Sequence, residues 1–214
     1  SVLIKGYFSK AKHIDNMLWS GLDFHLIESP VHHTYKVNNG LINSFQIRPN
    51  PDDNETIAVI GNKRGDIVMP FSAKSVIVDS GDGKDTIYGS VKGGNIILGG
   101  KDHDILHGAN HSVRDTNTKV SADVIVGGEG HDLIDGMGGK DIIHTGEIDE
   151  HLDKKSSNEK GDWAVGHLGD DEIYGSRGHD FLQGGSGNDT MFGGAGHDVM
   201  VGDGDVQFNS KWKH

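Results

Sequence analysis

The chain has 214 residues, enough for one large or two small domains, and its 32 acidic against 20 basic residues give a formal charge of −12. Such a surface repels nucleic acid and anionic membranes and attracts cations, which excludes nucleic-acid binding as a function class. Disulfides and thiolate metal sites are excluded because there is no cysteine, and collagen because the excess of glycine (33 residues, against a usual ~7%) comes with only 4 prolines and no three-residue period. No run of about 18 apolar residues offers a membrane-spanning helix. Lys5, Lys10 and Lys12 flank no apolar core of the kind a signal peptide needs. The abrupt start and stop lead us to expect a piece of a longer protein.

Residues 1–55 carry no repeat. Trp19, Leu22, Phe24, Leu26 and Ile27, then Tyr35, Val37, Ile42, Phe45 and Ile47, partly alternate with polar residues. Asn38-Asn39-Gly40 reads as a hairpin turn between two such runs. We expect a small β region flanking or capping the rest of the chain, with His32-His33 as an exposed loop pair. Short β-type runs then appear at Ile57–Ile60, Ile67–Met69, Val76–Val78, Thr86–Tyr88 and Ile96–Leu98. Between them Asp66, Ser75, Asp85, Asn95 and Asp104 succeed one another at steps of nine or ten, a degenerate ladder. From residue 56 to 205 the pattern is continuous apart from insertions near 108–121 and 145–160, expected to loop out while the stack continues. Residues 206–214 read as a cap or tail.

The ladder is sharpest at Gly184–Phe192 and Gly193–Val201. Each nonapeptide has glycine at places one, two and four, Asp at place six and an apolar residue at place eight. Asp162, Asp171, Asp180, Asp189 and Asp198 come at steps of nine, as do Asp123, Asp132 and Asp141. A fixed short period means stacked equivalent turns. The glycines permit a tight loop with positive φ. A strand of about three residues comes next, with one apolar residue facing inward: Ile87, Leu106, Ile125, Ile134, Ile143, Ile173, Leu182, Met191 or Met200. Nine residues make a half turn, so loops 18 apart share an edge, placing Asp171 beside Asp189 and Asp180 beside Asp198. Carboxylates stacked at a strand spacing of about 4.8 Å repel. A hard dication taking 6–8 oxygens from carboxylates and carbonyls relieves this, which points to calcium rather than to strictly octahedral magnesium.

These motifs resemble the RTX (repeats-in-toxin) family. The match is closest at Gly127–Asp135, Gly184–Phe192 and Gly193–Val201, and good at Ser80–Tyr88, Gly99–His107, Gly136–His144, Gly166–Tyr174 and Gly175–Gln183. The resemblance implies an all-β fold, a right-handed parallel β-roll, with several Ca2+ ions between loops of alternate repeats. It implies carboxylate ligands from Asp85, Asp104, Asp123, Asp132, Asp141, Asp162, Asp171, Asp180, Asp189 and Asp198, with Asp203 in a final unfinished turn. Loop carbonyls would come from Gly81, Gly83, Gly100, Gly128, Gly130, Gly139, Gly169, Gly178, Gly185, Gly187, Gly194 and Gly196. It also implies export by a type I secretion system and folding outside the cell, with membrane or host-receptor contact left to the parent protein. The sequence departs from the pattern at Ser75 and Asn95 (for Asp), at Asp102 and His167 (for glycine) and at Ser80, Ser90 and Ser176 (for loop glycines).

His103, His131, His179 and His197 all occupy place five. We expect their side chains to face water, with a zinc ladder as the alternative. No H-E-x-x-H, G-x-S-x-G or Gly-Lys-Ser/Thr motif is present, so no catalysis is expected of this chain. Two classes of function remain, both secreted: a calcium-dependent folding and export module of a large toxin, or the same module in a hydrolase or adhesin. A carbohydrate-binding roll of a polysaccharide-modifying enzyme is a third.

Overall fold

A computed structural model of the chain describes residues 31–36, 56–68, 73–91, 93–108, 122–147 and 160–203. The Asn38–Gly40 turn, most of the 1–55 flank, the bodies of both insertions and the tail fall outside the described residues. Within them the regular secondary structure is all strand. In order these are β1 (Val31–Lys36), β2 (Thr56–Asn62), β3 (Ile67–Val68), β4 (Ser75–Gly81), β5 (Thr86–Tyr88), β6 (Ile96–Lys101) and β7 (Ile105–His107). Then come β8 (Val124–Glu129), β9 (Leu133–Asp135), β10 (Ile142–His144), β11 (Lys160–Leu168), β12 (Glu172–Tyr174), β13 (His179–Ser186), β14 (Thr190–Phe192) and β15 (Val199–Asp203). His32 and His33 therefore lie on a strand, not in a loop.

From β2 onward successive strands alternate between two parallel sheets. The first has the order β1-β2-β4-β6-β8-β10-β12-β14, the second β15-β13-β11-β9-β7-β5-β3. This is a β-roll, in which β1 pairs with β2 and every later pairing joins strands two elements apart. Glycine-rich half-turns are too short to do anything but carry the chain from one sheet to the other.

The alternation of strand side chains sends the place-eight residue inward. One sheet stacks Val59, Val78, Ile97, Ile125, Ile143, Ile173 and Met191. The other stacks Val68, Ile87, Leu106, Ile134, Ala164, Leu182 and Met200. All but the two methionines are fully buried, and Met200 is 51% exposed because the stack ends there. The register survives both insertions: Ile97 pairs with Ile125, and Ile143 with Ile173. Toward the other end Ile57 and Val76 join the core and widen it.

Candidate metal centres

Two columns of place-six residues run along the roll, one on each edge. The first is Asp66, Asp85, Asp104, Asp132, Asp162, Asp180 and Asp198; the second is Asn95, Asp123, Asp141, Asp171 and Asp189. Each is built the same way. Carboxylate Oδ1 accepts the backbone N–H of the equivalent residue one coil earlier, at 2.6–3.0 Å. Partners lie 18, 19, 28 or 30 residues apart in sequence. The expected pairs Asp171–Asp189 and Asp180–Asp198 are both present.

In most coils the second oxygen, Oδ2, folds back over a place-one glycine. A Cβ on Gly99 would lie 2.6 Å from Asp104 Oδ2 and also 2.6 Å from the Gly127 carbonyl oxygen of the next coil. Place one is thus glycine because a carboxylate and a carbonyl converge there. Sequence reasoning assigns the loop contribution to place-two and place-four glycines and misses place one; the glycine five residues before Asp104, Asp132, Asp141, Asp171, Asp180, Asp189 and Asp198 is the available signal. Of the loop glycines expected from the resemblance, all but Gly178 have positive φ. Asp102, Met137 and His167 adopt the same left-handed backbone at glycine places, with φ of 76°, 71° and 73°. The stack holds the loop shape even where a side chain resists it, a strain of roughly 1–2 kcal/mol each.

The Oδ2 atoms of Asp85, Asp104, Asp123, Asp132, Asp141, Asp171 and Asp189 are buried and meet no hydrogen-bond donor in the protein. A buried carboxylate with an orphaned oxygen is costly unless a positive charge compensates it. The titration behaviour agrees. Burial pushes the carboxyls of Asp85 and Asp132 up to about 7, Asp104 and Asp162 to about 8 and Asp171 to about 6. It raises Asp123 and Asp141 well above the carboxylate range, the negative neighbours Asp141 and Asp171 adding to the effect. These residues fit a hard cation: anionic oxygens short of partners, next to carbonyl-rich loops. Among the described residues no three His, Asp or Glu side chains converge as a metal site, so each centre would draw on one or two carboxylates with backbone carbonyls.

Not every coil is alike. At Asp180 the carboxylate is satisfied within the protein: Oδ2 accepts the Ser176 N–H at 2.5 Å, and Oδ1 the Ser176 hydroxyl at 3.0 Å. Upstream of Asn95 the second column becomes apolar. The Val76 N–H, not the Ser75 N–H, donates to Asn95 Oδ1, so Val76 rather than Ser75 holds place six, and Ile57 precedes it. Counting along the sequence is one residue out here because the step between coils is 19, not 18. Asp66, absent from the expected ligands, is fully buried in the first column and donates its N–H to Asp85. Asp203 stands at a place-two position opposite Gly185, outside both columns.

The place-five histidines pair along one edge. His103 Nδ1 accepts the His131 N–H at 2.9 Å, and His179 Nδ1 the His197 N–H at 2.7 Å. These contacts occupy Nδ1 of His103 and of His179. On an outer face Asp135 lies 3.7 Å from His107 and 3.3 Å from His167. Burial opposes its charge, but the two imidazoles prevail and hold its carboxyl down at about 2.

Residues 121–147, 158–190 and 165–200 match the family model of the RTX calcium-binding nonapeptide repeat (4 copies). These stretches therefore carry repeats of the RTX calcium-binding kind, a chemistry that the carboxylate columns fit. No curated protein and no solved structure gives a significant match. Among the described residues no helix is long and apolar enough to cross a membrane.

Proposed function

We propose that this chain folds on binding calcium and serves the secretion and extracellular folding of a larger toxin. The observation that carries the reading is the run of seven buried Asp Oδ2 atoms without a donor. Stacked at strand spacing with a thin core between them, these charges oppose folding until cations enter. Binding free energy then becomes folding free energy. Calcium-poor cytosol keeps such a chain unfolded and able to thread an exporter of the type I kind; calcium outside closes the roll. The repeat family supports toxin parentage by association, and a hydrolase or adhesin would use the module in the same way. The module itself binds rather than catalyses.

Circular dichroism against calcium tests the reading. A steep gain of β signal is expected, with affinities near the extracellular range of roughly 10⁻⁴–10⁻³ M per site and cooperativity between neighbouring coils. Magnesium at equal concentration should do far less. A folded spectrum in EDTA at neutral pH, unchanged by calcium, would overturn it.

A further inference from the structure

Asn95 sits where the chemistry of the second column changes. In the coils beyond it two acceptors face one glycine with no donor between them. Asp123 Oδ2 and the Gly136 carbonyl lie 2.7 and 2.5 Å from a Cβ on Gly108, and Asp141 Oδ2 and the Gly166 carbonyl lie 2.7 and 3.0 Å from one on Gly136. Both Oδ2 atoms are orphans. At Asn95 the equivalent atom is Nδ2, which lies 2.6 Å from a Cβ on Gly89. This nitrogen is a donor. It gives hydrogen bonds to the Gly108 carbonyl at 2.6 Å, Asp123 Oδ1 at 3.1 Å and the Ser90 carbonyl at 3.3 Å. Asn95 Oδ1 meanwhile accepts the N–H groups of Val76 at 2.9 Å and Ser90 at 3.1 Å. The side chain is 1% exposed and is satisfied at both ends.

We infer that the Asn95 carboxamide takes the place of a calcium ion, closing its loop without metal and ending the metal column of that edge at Asp123. Two N–H donors reach a neighbouring carboxylate and two carbonyls, the oxygen types a calcium ion would gather. Being neutral, the amide adds no charge that needs compensation. One coil further upstream Val76 is fully buried and so is Ile57 beyond it, so this edge passes from carboxylate through amide to hydrocarbon. The inference rests on the calcium reading above, and it assigns to this edge an end that needs no calcium.

Asn95→Asp tests it. Replacing Nδ2 by oxygen sets a carboxylate against the Gly108 carbonyl and Asp123, the carboxylate-and-carbonyl arrangement found at Asp104, Asp123, Asp132, Asp141 and Asp171. Isothermal titration should find one more calcium per chain than in the wild type, and a higher calcium concentration for folding. An unchanged stoichiometry overturns the inference while leaving the calcium reading intact; a wild type that binds no calcium overturns the calcium reading itself. The wild-type carboxamide gives a measurement independent of the variant. In calcium-saturated protein its Nδ2 protons should exchange slowly with solvent, because they are buried and bonded. A metal bound there would take Oδ1 and turn the Nδ2 protons outward, so fast exchange overturns the inference even if the variant does not fold.

Discussion

The N–H of Asp141 donates to Asp171 Oδ1 at 2.8 Å across 30 residues of sequence, while Asp171 Oδ2 meets no donor at all. One carboxylate thus has two duties. Its first oxygen stitches adjacent coils, and its second is the one that the proposed function gives to calcium. Asp171→Ala removes both and leaves a buried N–H unpaired, a loss of about 1–3 kcal/mol before any ligand is counted. We expect the calcium midpoint for folding to rise several-fold. Asp82, partly exposed and 3.9 Å from Lys63, belongs to neither column, and Asp82→Ala should leave the midpoint nearly unchanged. Equal shifts in the two titrations would mean that bulk charge, not the columns, governs folding.

Acid should substitute in part for calcium. Carboxyls raised to about 7 at Asp85 and Asp132 and about 8 at Asp104 and Asp162, chiefly by burial, hold protons in the folded chain that the unfolded chain releases near 3.8. Folded pKa above unfolded pKa means stability that is full below about pH 3.8 and lost as pH climbs through 7 to 8. In EDTA, lowering the pH from 8 to 5 should therefore increase β signal. In calcium the same change should weaken metal binding, because protons compete for the same oxygens. A metal-free chain that loses structure on mild acidification would contradict this.

Around Ile134 each sheet gives the core one side chain per coil, so single truncations should be felt. Ile134 is fully buried and pairs with Leu106 and Ala164. Ile134→Ala should cost about 2–5 kcal/mol in urea unfolding at saturating calcium. Its neighbour Ile105, 39% exposed, should lose well under half as much on truncation to Ala.

Glycine substitutions should separate loop geometry from loop composition. Gly100 has φ of 106°, and a Cβ there would collide with the Gly81 carbonyl oxygen. Gly202 has nothing within 4 Å of such an atom. Gly100→Ala should lower the thermal midpoint of the calcium-loaded protein by several degrees, and Gly202→Ala should hardly move it.

Much of this roll is legible in the chain itself. A period of nine with glycine at one, two and four, Asp at six and Ile or Leu at eight leaves few arrangements but stacked coils, because only those bury the place-eight residue while grouping the carboxylates with loop carbonyls. The pairs Asp171–Asp189 and Asp180–Asp198 come from counting two half-turns. Where coils lengthen to 19, 28 or 30 residues, counting no longer says which residue meets which, since a pairing register is a contest among hydrogen bonds between distant strands. That contest put Val76 rather than Ser75 opposite Asn95 and brought Asp66 into the first column. It also turned the Asn95 nitrogen, which in sequence is only an imperfect aspartate, toward the Gly108 carbonyl and the Asp123 carboxylate. The nine-residue period prescribes which face a side chain occupies; the atoms it meets there are decided by neighbouring coils, and those become neighbours only when the roll closes.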